Sequence, residues 1–262
     1  MQIKAKKSLG QNFLIDKNII NKIVEKVNIK FEDTILEIGP GTGNLTEFIL
    51  KKKPKKIYVI EKDTNLTSYL YKKFQKKLII INKDFLNIKI SDFKEKLIIF
   101  GNLPYNISTQ ILIKLIKLED KELPYKELIF MFQKEVAQRI LAQKDTKNFG
   151  RLSIIAGWRL NVEKMFDINP SCFYPKPKVT STLIKFMPKK NYFKFNNYEN
   201  LEKITNVFFN QRRKKIKSAF KKLFRNPEYI SKKLKIDNNL RPENLSPEEY
   251  YEITREYESL NG

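Results

Sequence analysis

The 262-residue sequence contains no histidine and a single cysteine, Cys172. Without histidine there is no imidazole base, no Ser-His-Asp triad and no His-ligated zinc. One cysteine cannot close a disulfide within the chain, which fits a reducing compartment and sets the expectation of a cytoplasmic protein. Cys172 itself reads as a small buried filler. Long apolar runs are also missing. Pieces such as Leu78–Ile81 are strand-sized and far short of a membrane span. The first seven residues are basic but precede no apolar stretch, so no signal peptide is expected.

Acidic residues are scarce relative to basic ones. The sequence has 29 Asp and Glu against 52 Lys and Arg, for a formal net charge of +23. Clustered cations bind a polyanion by releasing its condensed counterions, so the excess points toward nucleic acid. A bland reading stands beside it, because most of the cations are lysines in a sequence also rich in Ile and Asn. At 41% apolar the chain can still build a core.

Apolar residues between 15 and 27 recur at helical spacing. Thr34–Gly39 then reads as a buried strand running into a glycine-rich turn and a helix over Asn44–Lys52. Strands are expected at Lys56–Ile60, Leu78–Asn82, Leu97–Gly101 and Glu127–Phe132. The helices between and after them are Asn65–Phe74, Thr109–Leu118 and Lys134–Ala142. Such alternation implies parallel pairing with right-handed crossovers. Val162–Phe166 and Val179–Phe186 are strands with no helix between them, which suggests an antiparallel edge. Beyond Pro188 a polar, aromatic stretch leads into segments that read only as helices, the first being Leu201–Phe224. The expected fold is therefore α/β: a mostly parallel sheet with an antiparallel edge over residues 1–188, and a small, basic, all-helical C-terminal domain over 189–262.

Four motifs sit at the ends of successive strands. Glu37-Ile38-Gly39-Pro40-Gly41-Thr42-Gly43-Asn44 lies between a strand and a helix, where Gly39 and Gly41 permit close ligand approach at a helix N-terminus. Taken alone, the loop is also compatible with a simple tight turn. Glu61 ends the next strand, where a carboxylate can accept both ribose hydroxyls of a nucleoside. Asp84-Phe85 follows the third strand, with Asp84 able to accept from an adenine amino group and Phe85 to lie against the ring. Each acid alone is weak evidence, but together they outline an adenosine-shaped site.

The fourth motif, Asn102-Leu103-Pro104-Tyr105, is the most specific. An exocyclic adenine amine is a poor nucleophile because its lone pair is delocalised into the ring. The Asn102 side-chain oxygen and the carbonyl of Leu103 or Pro104 can accept its two hydrogens and favour a pyramidal nitrogen. Tyr105 offers a face to a base that has left its stack.

These motifs, with Gly10-Gln11-Asn12-Phe13-Leu14 and the continuation to Thr109, resemble the ribosomal RNA adenine dimethyltransferases over about residues 8–255. The resemblance implies a Rossmann-like fold with S-adenosylmethionine as cofactor. It places that cofactor against Asn12, Leu14, Gly39, Glu61, Asp84 and Asn102, and the target adenine between Tyr105 and Phe173. Phe208–Lys214 and Leu240–Ser246 are similar to the small-subunit branch of the family, whereas Phe173–Val179 is shared with its large-subunit resistance methylases. The implied substrate is thus two adjacent adenosines near the 3′ end of 16S RNA, in a small-subunit precursor. A large-subunit methylase conferring antibiotic resistance, a DNA adenine methylase, and a non-catalytic assembly or transcription factor on the same fold are the alternatives. Cytosine C5 methylation is disfavoured, because Cys172 lies outside any loop resembling such a site.

A basic helix around Gln211–Arg225 carries Arg212, Arg213, Lys214, Lys215 and Lys217 as candidate RNA-phosphate contacts. Its alternative reading is a solvated charge run on a packed helix. Lys4, Lys6 and Lys7 suggest a mobile basic arm. No metal is expected, and a monomer is the simplest assembly.

Overall fold

The computed structural model describes residues 5, 6, 10–118 and 123–261. The chain divides into two compact units. One comprises residues up to Ala137 together with Glu163–Pro188, and the other Gln138–Val162 together with residues from Lys189 onward. Pro188 is an edge of this division, but Gln138–Val162 lies with the helical part rather than with the sheet, unlike the expected split at 188.

In the first unit the chain runs β1 (Phe13–Leu14), α1 (Lys17–Glu25), β2 (Thr34–Ile38), α2 (Asn44–Lys51), β3 (Lys56–Ile60), α3 (Thr64–Phe74), β4 (Ile79–Ile81), β5 (Leu97–Gly101), α4 (Ser108–Ile116) and β6 (Tyr125–Gln133). Next come α5 (Lys134–Ile140), α6 (Arg151–Arg159), β7 (Leu160–Ile168), β8 (Phe173–Tyr174) and β9 (Ser181–Pro188), with α6 in the second unit and α5 and β7 spanning the division. The main sheet has the order β4-β3-β2-β5-β6-β9-β7. Strands β4, β3, β2, β5 and β6 are parallel, and β9 runs antiparallel to β6. This is the expected architecture of a parallel sheet with an antiparallel edge.

The strands read as continuous apolar runs because both faces of the sheet are covered. Every residue of β2 and β5 is buried. Helices begin where side chains can replace missing backbone partners. Asp16 accepts from the amides of Asn18 and Ile19 ahead of α1, and Asp63 from that of Asn65 ahead of α3. From α1, Ile20, Ile23 and Val24 are the buried residues, spaced to form one stripe into a core shared with Ile35, Val59 and Ile98.

The second unit carries α6 and the helices α7 (Glu199–Phe209), α8 (Lys217–Leu223), α9 (Pro227–Lys233) and α10 (Pro247–Asn261). Here Glu258 of α10, 7% exposed, accepts from the amides of Asn196 and Asn197 and the side chain of Asn200 at 2.9–3.0 Å. The carboxylate thereby fastens α10 to the chain entering α7. Tyr251 donates its hydroxyl to the carbonyl of Ile154 at 2.8 Å, tying α10 to α6. The single helix expected over Leu201–Phe224 is two. It breaks at residues 210–216, where the Ile216 amide bonds the carbonyl of Leu240 instead of continuing a helix. Among the described residues no helix is long and apolar enough to cross a membrane.

Candidate active site

The C-terminal ends of β4, β3, β2 and β5 lie side by side, so the segments leaving them share one edge of the sheet. In sheet order these are Asp84, Glu61, the Gly39–Gly43 loop and Asn102. Strand β2 connects onward to β3 on one side, while β5 lies on its other side. The strand order therefore reverses between β2 and β5, and open α/β sheets form their ligand crevice at such a point. A cavity of about 220 Å³ occupies it. Its lining includes all the expected cofactor residues, Asn12, Leu14, Gly39, Gly41, Glu61, Asp84, Phe85 and Asn102, together with Leu103, Pro104 and Tyr105.

The glycine loop is shaped from below and above. Gly41 has φ +57°, and a Cβ on it would come within 2.7 Å of the Phe13 ring. Its amide donates to Glu61 Oε2 at 3.2 Å, while Glu61 Oε1 accepts from the Asp63 amide at 2.9 Å. Each oxygen keeps a further lone pair, which suits the two hydroxyls of a ribose. Burial pushes the Glu61 carboxyl above the usual range, and these two amide bonds oppose it. Asp84 is the reverse case. Lys62 at 2.8 Å and the Leu86 amide hold its carboxyl below the usual range, so it is an acceptor at neutral pH.

At the other end of the row, Asn102 donates through Nδ2 to the carbonyl of Asn12 at 2.8 Å. That bond identifies the remaining Asn102 side-chain atom as Oδ1, an acceptor with no hydrogen bond among the described residues, on a residue that lines the cavity. The sequence leaves open whether Leu103 or Pro104 supplies the second carbonyl. In the structure the Pro104 carbonyl already accepts from the amides of Ile107 and Ser108, both at 3.1 Å, where α4 begins. Leu103 is therefore the available acceptor. Tyr105 lines the cavity with its hydroxyl 2.7 Å from Ser181 Oγ, and burial raises its phenol, which stays neutral.

Phe173 departs from expectation. It is 3% exposed, belongs to the apolar core beside Leu14 and Cys172, and is not among the cavity-lining residues. As folded, its ring packs in the core and is not part of the cavity wall that Tyr105 lines. Phe173 lies opposite Leu14 in the β1–β8 ladder, and both side chains belong to the apolar core.

Several residues at the site escape sequence reasoning. Asn44 donates to the carbonyl of Leu14 at 2.8 Å, and Gln11 reaches Asp63 at 3.4 Å, so Gly10–Leu14 is fastened along one side of the cavity. Lys6 pairs with Asp63 at 2.8 Å instead of waving free, while Lys4 and Lys7 lie outside the described residues. Glu37, 2% exposed, accepts the Thr46 hydroxyl at 2.6 Å, and burial raises its carboxyl to about 7. Its place in the glycine motif is legible in the sequence, but its protonation depends on complete burial.

In the second unit the candidate RNA contacts divide. Arg212 is committed to Glu243 at 2.8 Å and to the carbonyl of Thr146 at 3.2 Å. Lys215 donates to Asn239, and Lys217 lies 3.5 Å from Glu228. Arg213 and Lys214 are exposed on the turn between α7 and α8, with no ion pair among the described residues.

Residues 2–259 match the family model described as ribosomal RNA adenine dimethylase. The chain belongs to that family. It is 51% identical over 263 residues to the ribosomal RNA small subunit methyltransferase A of Pelagibacter ubique, covering all of both chains. It is 41% identical over 249 residues to the enzyme of the same name from Francisella tularensis subsp. novicida, covering 93% of this chain and 94% of that one. Among solved structures, it superposes on a dimethyladenosine transferase from Plasmodium falciparum with a TM-score of 0.83 at 27% identity, over 95% of this chain and 98% of the other. Membership makes this an S-adenosylmethionine-dependent adenine dimethylase of ribosomal RNA. The residues present fit that cofactor: Glu61 and Asp84 are carboxylate acceptors lining one cavity, as a nucleoside requires, and Gly41 lets the loop pack closely under Phe13 beside them.

Proposed function

We propose that the chain dimethylates N6 of two adjacent adenosines near the 3′ end of small-subunit ribosomal RNA, during assembly of that subunit. The observation that carries the chemistry is the pair of free acceptors after β5. Asn102 and Leu103 both line one cavity, and with Asn102 Nδ2 and the Pro104 carbonyl occupied, Asn102 Oδ1 and the Leu103 carbonyl are the acceptors with no hydrogen bond among the described residues. Two acceptors set beside each other take the two hydrogens of an exocyclic amine and turn its lone pair outward. The choice of subunit rests on full-length similarity to small-subunit methyltransferases.

S-adenosylmethionine supplies a methyl carbon already activated by its sulfonium, so the protein's share is positioning and electrostatics. Glu61 holds the cofactor's ribose, Asp84 and Phe85 its adenine, and the Gly39–Gly41 loop brings backbone close to it. Asn102 and Leu103 orient the target amine, and the Tyr105 face stabilises the positive charge that develops on the nitrogen. The proton released afterward passes to water or to a carbonyl acceptor, which needs no histidine. A second transfer requires only one remaining N–H, so one of the two acceptors suffices. In the second unit, Arg213 and Lys214 supply phosphate contacts. Every group invoked comes from one chain, so a monomer suffices, and the substrate places the reaction in the cytoplasm.

The test is methyl transfer from labelled S-adenosylmethionine to isolated small and large subunits, followed by nucleoside analysis. Label in N6,N6-dimethyladenosine of the small subunit alone is the expected result. Label confined to the large subunit would establish the resistance-methylase reading, and no transfer to either would establish the non-catalytic one.

A further inference from the structure

The β1–β8 ladder pairs Phe13 with Tyr174 and Leu14 with Phe173. Directly opposed residues of an antiparallel pair share a face, and successive residues alternate. Leu14 and Phe173 both enter the apolar core. Phe13 and Tyr174 therefore share the other face, where Phe13 lies against Gly41 and, like Leu14, lines the cavity. Phe13 is 8% exposed, whereas Tyr174 is 61% exposed. The ladder thus carries one aromatic inside the cavity and a second, bare aromatic on the same face.

The surroundings of Tyr174 suit a nucleic acid strand. Lys176 and Lys178 follow it, both exposed and without ion pairs among the described residues. The same connection leads to Ser181, which holds the Tyr105 hydroxyl at 2.7 Å. A bare tyrosine flanked by free cations and joined through one short segment to the base-facing tyrosine has the elements of single-strand binding. These are a π-face for stacking and positive charge for the backbone.

We propose that Tyr174 stacks an unpaired nucleobase of the substrate RNA, the neighbour of the adenine held by Asn102 and Tyr105, with Lys176 and Lys178 on the adjoining phosphates. This rests on the function proposed above. A substrate with two adjacent target adenosines needs a seat for one while the other occupies the cavity, and Tyr174 supplies it. The buried Phe173 stays a core residue.

The test compares Tyr174→Ala and Tyr174→Phe in the full chain, using small subunits for kinetics and an RNA hairpin with 2-aminopurine beside the target adenosine for fluorescence. The expected result is a rise of about tenfold in KM for Tyr174→Ala, with kcat and the dissociation constant for S-adenosylmethionine within about twofold of wild type. Quenching of 2-aminopurine on binding is expected to be lost in Tyr174→Ala and kept in Tyr174→Phe. Wild-type KM and quenching in Tyr174→Ala would overturn the proposal. Equal loss in both variants would also overturn it, since that implicates the hydroxyl and not the ring. Altered cofactor affinity or melting in Tyr174→Ala would assign the residue a structural role and overturn it too. If the wild-type enzyme fails to methylate small subunits, the function proposed above fails instead, and the quenching comparison still decides the role of Tyr174.

Discussion

Asn102 Nδ2 lies 2.8 Å from the carbonyl oxygen of Asn12, joining two segments 90 residues apart across the cavity. The bond leaves Oδ1 of Asn102 no choice of direction, since the amide cannot flip without losing its partner. Replacement by alanine removes both the acceptor and the tie to Asn12. For Asn102→Ala we expect kcat to fall by at least about a hundredfold, the order seen when one preorganised hydrogen-bonding group is removed from a reacting centre. Subunit binding, measured by co-sedimentation, is expected to stay within about threefold. Near wild-type kcat would disprove the role of Asn102.

Glu61 links the glycine loop to β3 through the amides of Gly41 and Asp63. Glu61→Ala strands two buried donors, at a cost of roughly 1–3 kcal/mol each. It is expected to lower the melting temperature and to weaken S-adenosylmethionine binding by calorimetry. Glu61→Gln can satisfy one amide through its oxygen and should lie between the two. Unchanged cofactor affinity in the alanine variant would contradict a ribose-binding role.

Glu37 makes stability depend on pH. Its carboxyl titrates near 7 in the folded protein, against 4.5 ordinarily. Below 4.5 both states hold the proton and its stabilising effect is complete. Between 4.5 and 7 only the folded state holds it, so stability falls with rising pH, levelling off above 7 after a loss on the order of 3 kcal/mol. Denaturant titrations of Glu37→Gln should lose this part of the decline between pH 5 and pH 8. The Gln side chain can still accept the Thr46 hydroxyl. Parallel pH profiles for wild type and variant would show that Glu37 is ionised in the fold.

The strand ends are legible because a short apolar run bounded by polar residues can be read directly. Lys56–Ile60 and Leu97–Gly101 appear as expected, and Glu61 and Asn102 follow them. Helix α6 is hidden in the sequence because Ser153, Ile154, Ile155, Ala156, Trp158 and Arg159 are all buried, so it has no single apolar stripe to betray it. The break at 210–216 depends on a partner at Leu240, which no local pattern announces. The resemblance marks Phe173 as the base-facing aromatic, and its burial in the core opposite Leu14 depends on a strand pairing that the local sequence does not reveal.

The basic residues of the second unit separate by partner. Arg212→Ala removes an ion pair with Glu243 and a bond to Thr146, so its main effect should be on melting temperature. Arg213→Ala with Lys214→Ala removes exposed charge that has no ion pair among the described residues. It should weaken subunit binding and flatten the dependence of log affinity on log salt by about one for each phosphate that is no longer neutralised. An unchanged salt slope would exclude these two residues from phosphate binding.

The central claim is that the cavity presents one adenine amine to the methyl donor through Asn102 and Leu103. A crystal structure of the enzyme with a non-reactive S-adenosylmethionine analogue and a short RNA carrying both target adenosines tests it most directly. One adenine is expected in the cavity, its N6 within hydrogen-bond distance of Asn102 Oδ1 and the Leu103 carbonyl, and in line with the donor sulfur. An adenine whose N6 points away from both acceptors, with the cofactor bound, would contradict it.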